Sequence, residues 1–270
     1  MSEWDAEVFC LVAPDAVRRH LVVPILSIFA ARGLTPNGWC MRELTSLQID
    51  TMHEFAMVRS THAYRFRCLD MLFALGPSIL LRLADNGGFD GSPYARALEV
   101  KGASDPRDAA PGSIRYDLRA INVIMSLLHT SDGPAESRHE SELLLDGSSW
   151  RDTGELGDLL SILQAGPAEV RLFPEALMGL RRSILTELWP ALGAEARAEA
   201  GRLTAAGELA APRAGEKIAR LATCRGHPLL EILAAGFDQP VDVLRTPRTL
   251  GLDDWQTAVL FTSAYFPPRV

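Results

Sequence analysis

Residues 104–132 read SDPRDAAPGSIRYDLRAINVIMSLLHTSD. Two turn signals open the stretch, Ser104-Asp105-Pro106 and Pro111-Gly112-Ser113, and Arg115-Tyr116-Asp117 follows them. An apolar run from Ile121 to Leu128 then delivers His129, with Thr130-Ser131-Asp132 directly after it and Glu136 and Glu140 beyond. A short apolar run bounded by turn signals reads as a buried strand, so His129 is expected at a strand end. A histidine held there, with carboxylates near to fix its tautomer, can act as base, metal ligand or phosphate-accepting nucleophile. The bland alternative is a solvated histidine at the end of a strand.

Upstream, Glu7 to Val12 is an apolar run of strand length, followed by Pro14-Asp15. Asp15 reads as the N-cap of a helix whose apolar face is Val17, Leu21, Val22, Ile25, Leu26 and Phe29, with Pro24 placed to kink it and Gly33 to stop it. Leu34 to Leu44 reads as a second strand interrupted at Pro36-Asn37-Gly38. Helices are expected over Ser46–Phe55 and Ala63–Leu75. A third strand is expected over Ser78–Ala84, with a turn at Asp85-Asn86-Gly87-Gly88. A short helix over Ser92–Val100 and a last one over Pro134–Leu145 complete the series. The order β-α-β-α-α-β-α-β-α folds as a ferredoxin-like split βαβ with an antiparallel sheet.

Asp146-Gly147-Ser148-Ser149 reads as a linker, and the composition changes after it. The remainder is rich in Leu, Ala, Glu and Arg and shows helical periodicity over Glu155–Gln164, Pro174–Leu192, Ala194–Ala206, Ala214–Cys224, Pro228–Gly236 and Asp253–Tyr265. The fold class is therefore an α+β domain over residues 1–148 followed by an all-α domain over 149–270. Trp150, Trp189, Trp255 and Phe266 are expected in cores, and His227 at a helix cap or on the surface.

Composition narrows the partners. A hydrophobic share of 47% with mean hydropathy near zero fits a soluble globular chain, and no apolar run approaches the ~20 residues that span a bilayer. Met1-Ser2-Glu3-Trp4-Asp5 lacks the basic region of a secretory signal. Cys10, Cys40, Cys68 and Cys224 show no C-x-x-C spacing, which fits reduced thiols in a cytoplasm. A net charge of −7 argues against nucleic acid, but local arginines can still serve a small phosphorylated substrate. The histidines are not at H-x-x-x-H spacing, and His53 and His62 are too far apart on a helix to share a metal, so no metal-ligand set is read in the chain itself.

The order of the motifs resembles the nucleoside diphosphate kinase family. That family has a K-P-D-G-V strand end, a T-[ND]-P turn, a P-G-T-I-R-G-D-F loop and N-x-x-H-G-S-D around its phosphorylated histidine. Here the counterparts are Ala13-Pro14-Asp15-Ala16-Val17, Ser104-Asp105-Pro106, Pro111-Gly112-Ser113-Ile114-Arg115 and Ser126 to Asp132. The resemblance implies the same ferredoxin-like fold. It implies His129 as phospho-carrier, Ser131 beside it, and Glu140 as the group orienting the ring. One extra residue separates Arg115 from His129; if it falls after His129 instead, Ser141 takes the place of Glu140. Arg115 and Ser104 are implied as phosphate ligands, and Mg²⁺ would accompany a nucleoside triphosphate as its counter-ion.

Departures from the pattern are as informative. The family's lysine before Pro-Asp is Ala13, its pocket tyrosine is Met52, its arginine ahead of the turn is Leu98, and its asparagine before the histidine is Ser126. The arginine before that asparagine is Met125, and the base-stacking aromatic is Arg65, between Tyr64 and Phe66. Arg96 lies two residues from Leu98. Arg65, Arg96 and Arg19 are the candidates to restore positive charge, with Arg18, Arg67, Arg107 and Arg119 as further ones. Asp132 is expected to cap a helix.

Two readings follow. The first is a divergent phosphotransferase that carries phosphate on His129; retention of His129, Ser131-Asp132 and Arg115 favours it. The second is a degenerate module that binds nucleotide or a partner protein; loss of the lysine and asparagine favours that. The family's habit of assembling through this domain, with an added helical domain in the way, implies a homo-oligomer, a dimer in the first instance.

Overall fold

In the computed structural model, Glu7–Val12 forms strand β1 as predicted, and five of its six residues are buried. Such burial requires cover on both faces, which is why the strand reads as a continuous apolar run. β1 pairs antiparallel on one side with β3 (Ser78–Asp85), Val8 opposite Leu83 and Cys10 opposite Leu81. On its other side it pairs with β4 (Leu128–Thr130), Leu11 opposite His129. β2 (Leu34–Arg42) pairs antiparallel with the outer edge of β3. The sheet order β2-β3-β1-β4 is the ferredoxin-like arrangement expected from the element order. The register of β2 slips between Pro36 and Gly38, where proline cannot donate to a ladder.

The structure describes residues 3–53, 59–87, 90–235 and 250–269. They fall into two compact units, one running through Val170 with Arg269 added, the other from Arg171 to Pro268.

In the first unit two expectations need correction. The helix after β1 is two helices, α1 (Pro14–Arg18) and α2 (Val22–Ala30), separated by His20 at φ 55°. Pro24 occupies the first turn of α2, where its missing N–H costs nothing. Asp15 does not cap α1; Ala13 is the N-cap residue. The Asp15 side chain is buried and accepts the backbone N–H of Leu127 at 3.1 Å. Burial pushes that carboxyl up to about 6 against the pull of Arg19.

The second correction concerns the run Ile121–Leu128, which is not a strand except at its last residue. Asn122 Oδ1 accepts the N–H groups of Ile124 and Met125, both at 2.9 Å, and folds the segment back on itself. Leu127 then turns with φ 74°, and its carbonyl accepts from Ala13 N–H. The run is apolar because it is buried, and its backbone N–H groups are met by the Asn122 and Asp15 side chains and by the Met125 carbonyl rather than by a ladder. His129 therefore sits in the middle of β4.

The remaining helices are α3 (Ser46–His53), α4 (Ala63–Phe73), α5 (Pro93–Lys101), the short α6 (Ile114–Asp117) and α7 (Pro134–Leu145). The expected end of the α3 stretch at Phe55 and Gly88 of the following turn lie outside the described residues. Ser92 caps α5 by accepting Tyr94 N–H. The segment Asp146–Ser149, expected as a linker, lies inside the first unit. Beyond it Trp39 and Arg151 exchange backbone hydrogen bonds at 3.2 and 2.8 Å, and α8 (Leu156–Leu163) puts Leu156 and Leu159 into the same core as Val8, Ile25, Phe29 and Leu81.

The second unit is helical, as predicted: α9 (Phe173–Leu188), α10 (Ala194–Ala205), α11 (Ala214–Leu221), α12 (Pro228–Ala234) and α13 (Asp254–Tyr265). The expected end of the α12 stretch at Gly236 lies outside the described residues. Trp255 is buried and donates to the Arg171 carbonyl. Trp189, expected in the core, is 44% exposed. It directly precedes Pro190, a position that disfavours continued α-helix, and α9 gives way there to a 3-10 turn. Trp150 and Phe266 are half-buried. Arg181 is fully buried and its Nη atoms donate to the carbonyls of Leu209, Ala211 and Ala235. α11 passes so close to α12 that a Cβ on Gly215 would fall 1.6 Å from the Leu233 carbonyl oxygen. His227 caps α12, its Nδ1 accepting Leu229 N–H. Among the described residues no helix is long and apolar enough to cross a membrane.

Candidate active site

α7 presents Ser137, Glu140, Ser141 and Leu144 to the interior, the i, i+3, i+4, i+7 face of a helix. Ser137 Oγ accepts Phe9 N–H at 3.0 Å and lies within hydrogen-bonding distance, 3.1 Å, of the Tyr94 hydroxyl. These bonds fix α7 against β1 and set where Glu140 points. The Glu140 carboxylate meets the His129 ring: Nε2 lies 3.0 Å from Oε1 and 2.9 Å from Oε2. Ser131 Oγ donates to Oε2 of the same carboxylate. Ser141 instead donates to the Arg138 carbonyl, so of the two alternatives Glu140 is the one at the ring.

Burial alone would raise the Glu140 carboxyl. The His129 hydrogen bond and charge, the Ser131 hydroxyl and the nearby His53 together hold it below the usual carboxylate range. An ionised carboxylate can only accept, so Nε2 bears a proton, and in the neutral ring the lone pair is on Nδ1. The His129 side chain is 32% exposed, enough for a ligand to reach it.

His129 lines a cleft of about 270 Å³ together with Lys101, Ser104, Arg115, Arg65 and His53. Arg115 is buried and heavily committed. Its Nε donates to the Ser126 carbonyl, Nη1 to those of Gly102 and Ala103, and Nη2 to that of Leu128, at 2.9–3.2 Å. It ties the loop after α5 to β4 and keeps one of its five N–H groups for another acceptor. Burial pulls the guanidinium down to about 10, with Asp15 pulling the other way, so it stays charged at neutral pH.

Arg19 and Arg96 do not line the cleft. Arg19 donates to the carbonyls of Leu118 and Arg119, and Arg96 pairs with Asp85 at 2.5 Å and donates to the Gly91 carbonyl. Their charge is spent on turns of the fold. Of the further candidates, Arg107 pairs with Asp105 beside it. Asp132 faces the cleft, and the N-cap of α7 is Gly133 rather than Asp132. Ala13, Met52, Leu98 and Ser126, where the family resemblance would place lysine, tyrosine, arginine and asparagine, all line this same cleft.

Two residues of the cleft escaped the sequence reading. Lys101 ends α5 on its buried face, spaced i+4 and i+7 from Ala97 and Tyr94, so its helical phase was a legible signal. His53 ends α3. Burial first, then the neighbouring His129 and Arg65, pulls it down to about 4, so it is uncharged at neutral pH.

The residues that line this cleft fall within the part of the chain that is similar to known proteins. The nucleoside diphosphate kinase family model matches residues 6–149. The nucleoside diphosphate kinase of Halalkalibacterium halodurans is 29% identical over 146 residues, covering 53% of this chain and 91% of that protein. That of Methanosarcina mazei is 32% identical over 138 residues, covering 50% and 83%. The crystal structure of apo nucleoside diphosphate kinase from Encephalitozoon cuniculi aligns at 20% identity with a TM-score of 0.44, over 51% of this chain and 87% of that one.

Proposed function

The chain belongs to the nucleoside diphosphate kinase family, and on that premise we propose that residues 1–148 form a divergent phosphotransferase. It moves a phosphoryl group from a nucleoside triphosphate through His129 to a nucleotide or another phosphorylated acceptor. The observation that carries this reading is the His129 ring, anchored at Nε2 by an ionised Glu140 and lining a cleft with Lys101, Arg115 and Arg65. Nδ1 attacks the terminal phosphorus, the bond to the bridging oxygen breaks, and the nucleoside diphosphate leaves with that electron pair. A terminal phosphate oxygen of the acceptor then attacks the phosphohistidine, and the imidazole leaves with its lone pair restored. Ser131 and Glu140 position the ring, and Ser104, Arg115 and Arg65 are the assigned phosphate and substrate ligands. Among the described residues no group of three or more metal-binding side chains is assembled. Mg²⁺ is assigned to the substrate, as the counter-ion of the triphosphate.

A second reading is supported by the replaced positions: Ala13, Met52, Leu98 and Ser126 take four polar side chains out of the cleft. On that reading the module binds nucleotide or a partner without turnover. One experiment separates the two. The protein is incubated with a panel of nucleoside triphosphates and Mg²⁺, and its intact mass is read under neutral conditions. An acid-labile phosphate adduct that is absent in His129→Ala is expected. A folded protein that binds nucleotide but takes up no phosphate from any donor would establish the binding module instead. We further assign the chain to the cytoplasm, and the protein to a dimer. Light scattering on the purified chain checks the last, and a monomeric mass refutes it.

A further inference from the structure

Lys101 has an unusual environment for a lysine. The residue is 6% exposed, and its Nζ donates to the Thr130 carbonyl at 3.3 Å, one residue beyond His129. Among the described residues that is the ammonium's one hydrogen bond, and it forms no ion pair. Burying an ammonium without a carboxylate partner is costly unless something else supplies the counter-charge. Burial, then Arg115, push its pKa down, while Asp132, Cys10 and Glu140 act on it from further off. Its position in the last turn of α5 brings some attraction from the helix dipole, but that would hold equally for an ammonium turned to solvent. Instead it lines the cleft with His129, Arg115 and Ser104.

We propose that Lys101 is the cation that receives the transferring phosphoryl group beside His129, taking over from the strand end, where Ala13 lines the same cleft without charge. This rests on the phosphotransferase reading, yet the anion site can be tested apart from turnover. Isothermal titration of the full chain with inorganic pyrophosphate reads it directly. The wild-type protein is expected to bind, and Lys101→Met to bind about 10-fold or more weakly. Lys101→Gln keeps a donor for the Thr130 carbonyl and loses only the charge, so it is expected to fall with Lys101→Met. The double variant Ala13→Lys/Lys101→Met returns a charge from β1 and is expected to regain binding. Equal binding by wild type and Lys101→Gln, or none by wild type, overturns the assignment, as does a folded double variant that stays weak. Lys101-dependent pyrophosphate binding without an acid-labile phosphate on His129 would keep the anion site and remove the phosphotransfer reading.

Discussion

At the scale of single residues the site depends on a hydrogen bond whose direction is set by charge. Glu140 can only accept, so in the neutral ring Nδ1 of His129 has the lone pair that the proposed transfer requires. Glu140→Gln allows the ring either tautomer and either donor role. Single-turnover phosphate uptake on His129 is expected to fall about 10²-fold, the scale of a misplaced reacting group, with the far-ultraviolet dichroism unchanged. Uptake at the wild-type rate would mean that something else orients the ring. The second imidazole gives a pH prediction. His53 is pulled from 6.5 to about 4 by burial, so between those values the unfolded chain binds more protons than the folded one. Stability therefore rises with pH across that window. Glu140, held low, adds a contribution present at neutral pH and lost as pH falls through its lowered value. His53→Gln is expected to flatten the rise between about 4 and 6.5, read from urea midpoints; an unchanged slope would place the titration elsewhere. Neither His53 nor Lys101 announces itself by motif, because each reaches the cleft only through the fold.

At the scale of elements, hydrophobic periodicity carried most of the fold. Glu7–Val12 and Pro134–Leu145 match their predicted bounds, and the helices of the second unit lie where their patterns place them. The failure at Ile121–Leu128 is instructive. An apolar run reports burial, and burial is shared by a strand and by a loop whose backbone finds side-chain partners. Asn122 and Asp15 provide those partners. Asn122→Ala removes the acceptor for two buried N–H groups, and a loss of about 1–3 kcal/mol is expected in chemical denaturation. A change within error would show that the turn is held by its apolar side chains alone. Because this turn leads directly into β4, the same substitution is expected to slow phosphate uptake on His129.

At the scale of the whole molecule, the thiols offer a test of packing. Cys10, Cys40 and Cys68 are buried, and burial pushes the thiols of Cys10 and Cys68 up to about 12. Cys224 is partly exposed. Thiol titration of the native protein is expected to find Cys224 reacting promptly and the other three only after unfolding. Prompt reaction of all of them would contradict the packing of the first unit. The chain by itself determined its element order, the ferredoxin-like class, the helical character of the second half and the motif series ending at His129. Those are written in local period and spacing, which a residue and its near neighbours carry. Tertiary structure decided that α8 belongs to the first unit, that Arg19 and Arg96 are spent on turns, and that Lys101 and His53 face the histidine. These facts depend on sheet register and on which helix face meets which strand, and they join residues about a hundred and more positions apart. A charge in the sequence has no partner until the chain folds, so the pattern of charges could name candidates for the cleft but could not choose among them.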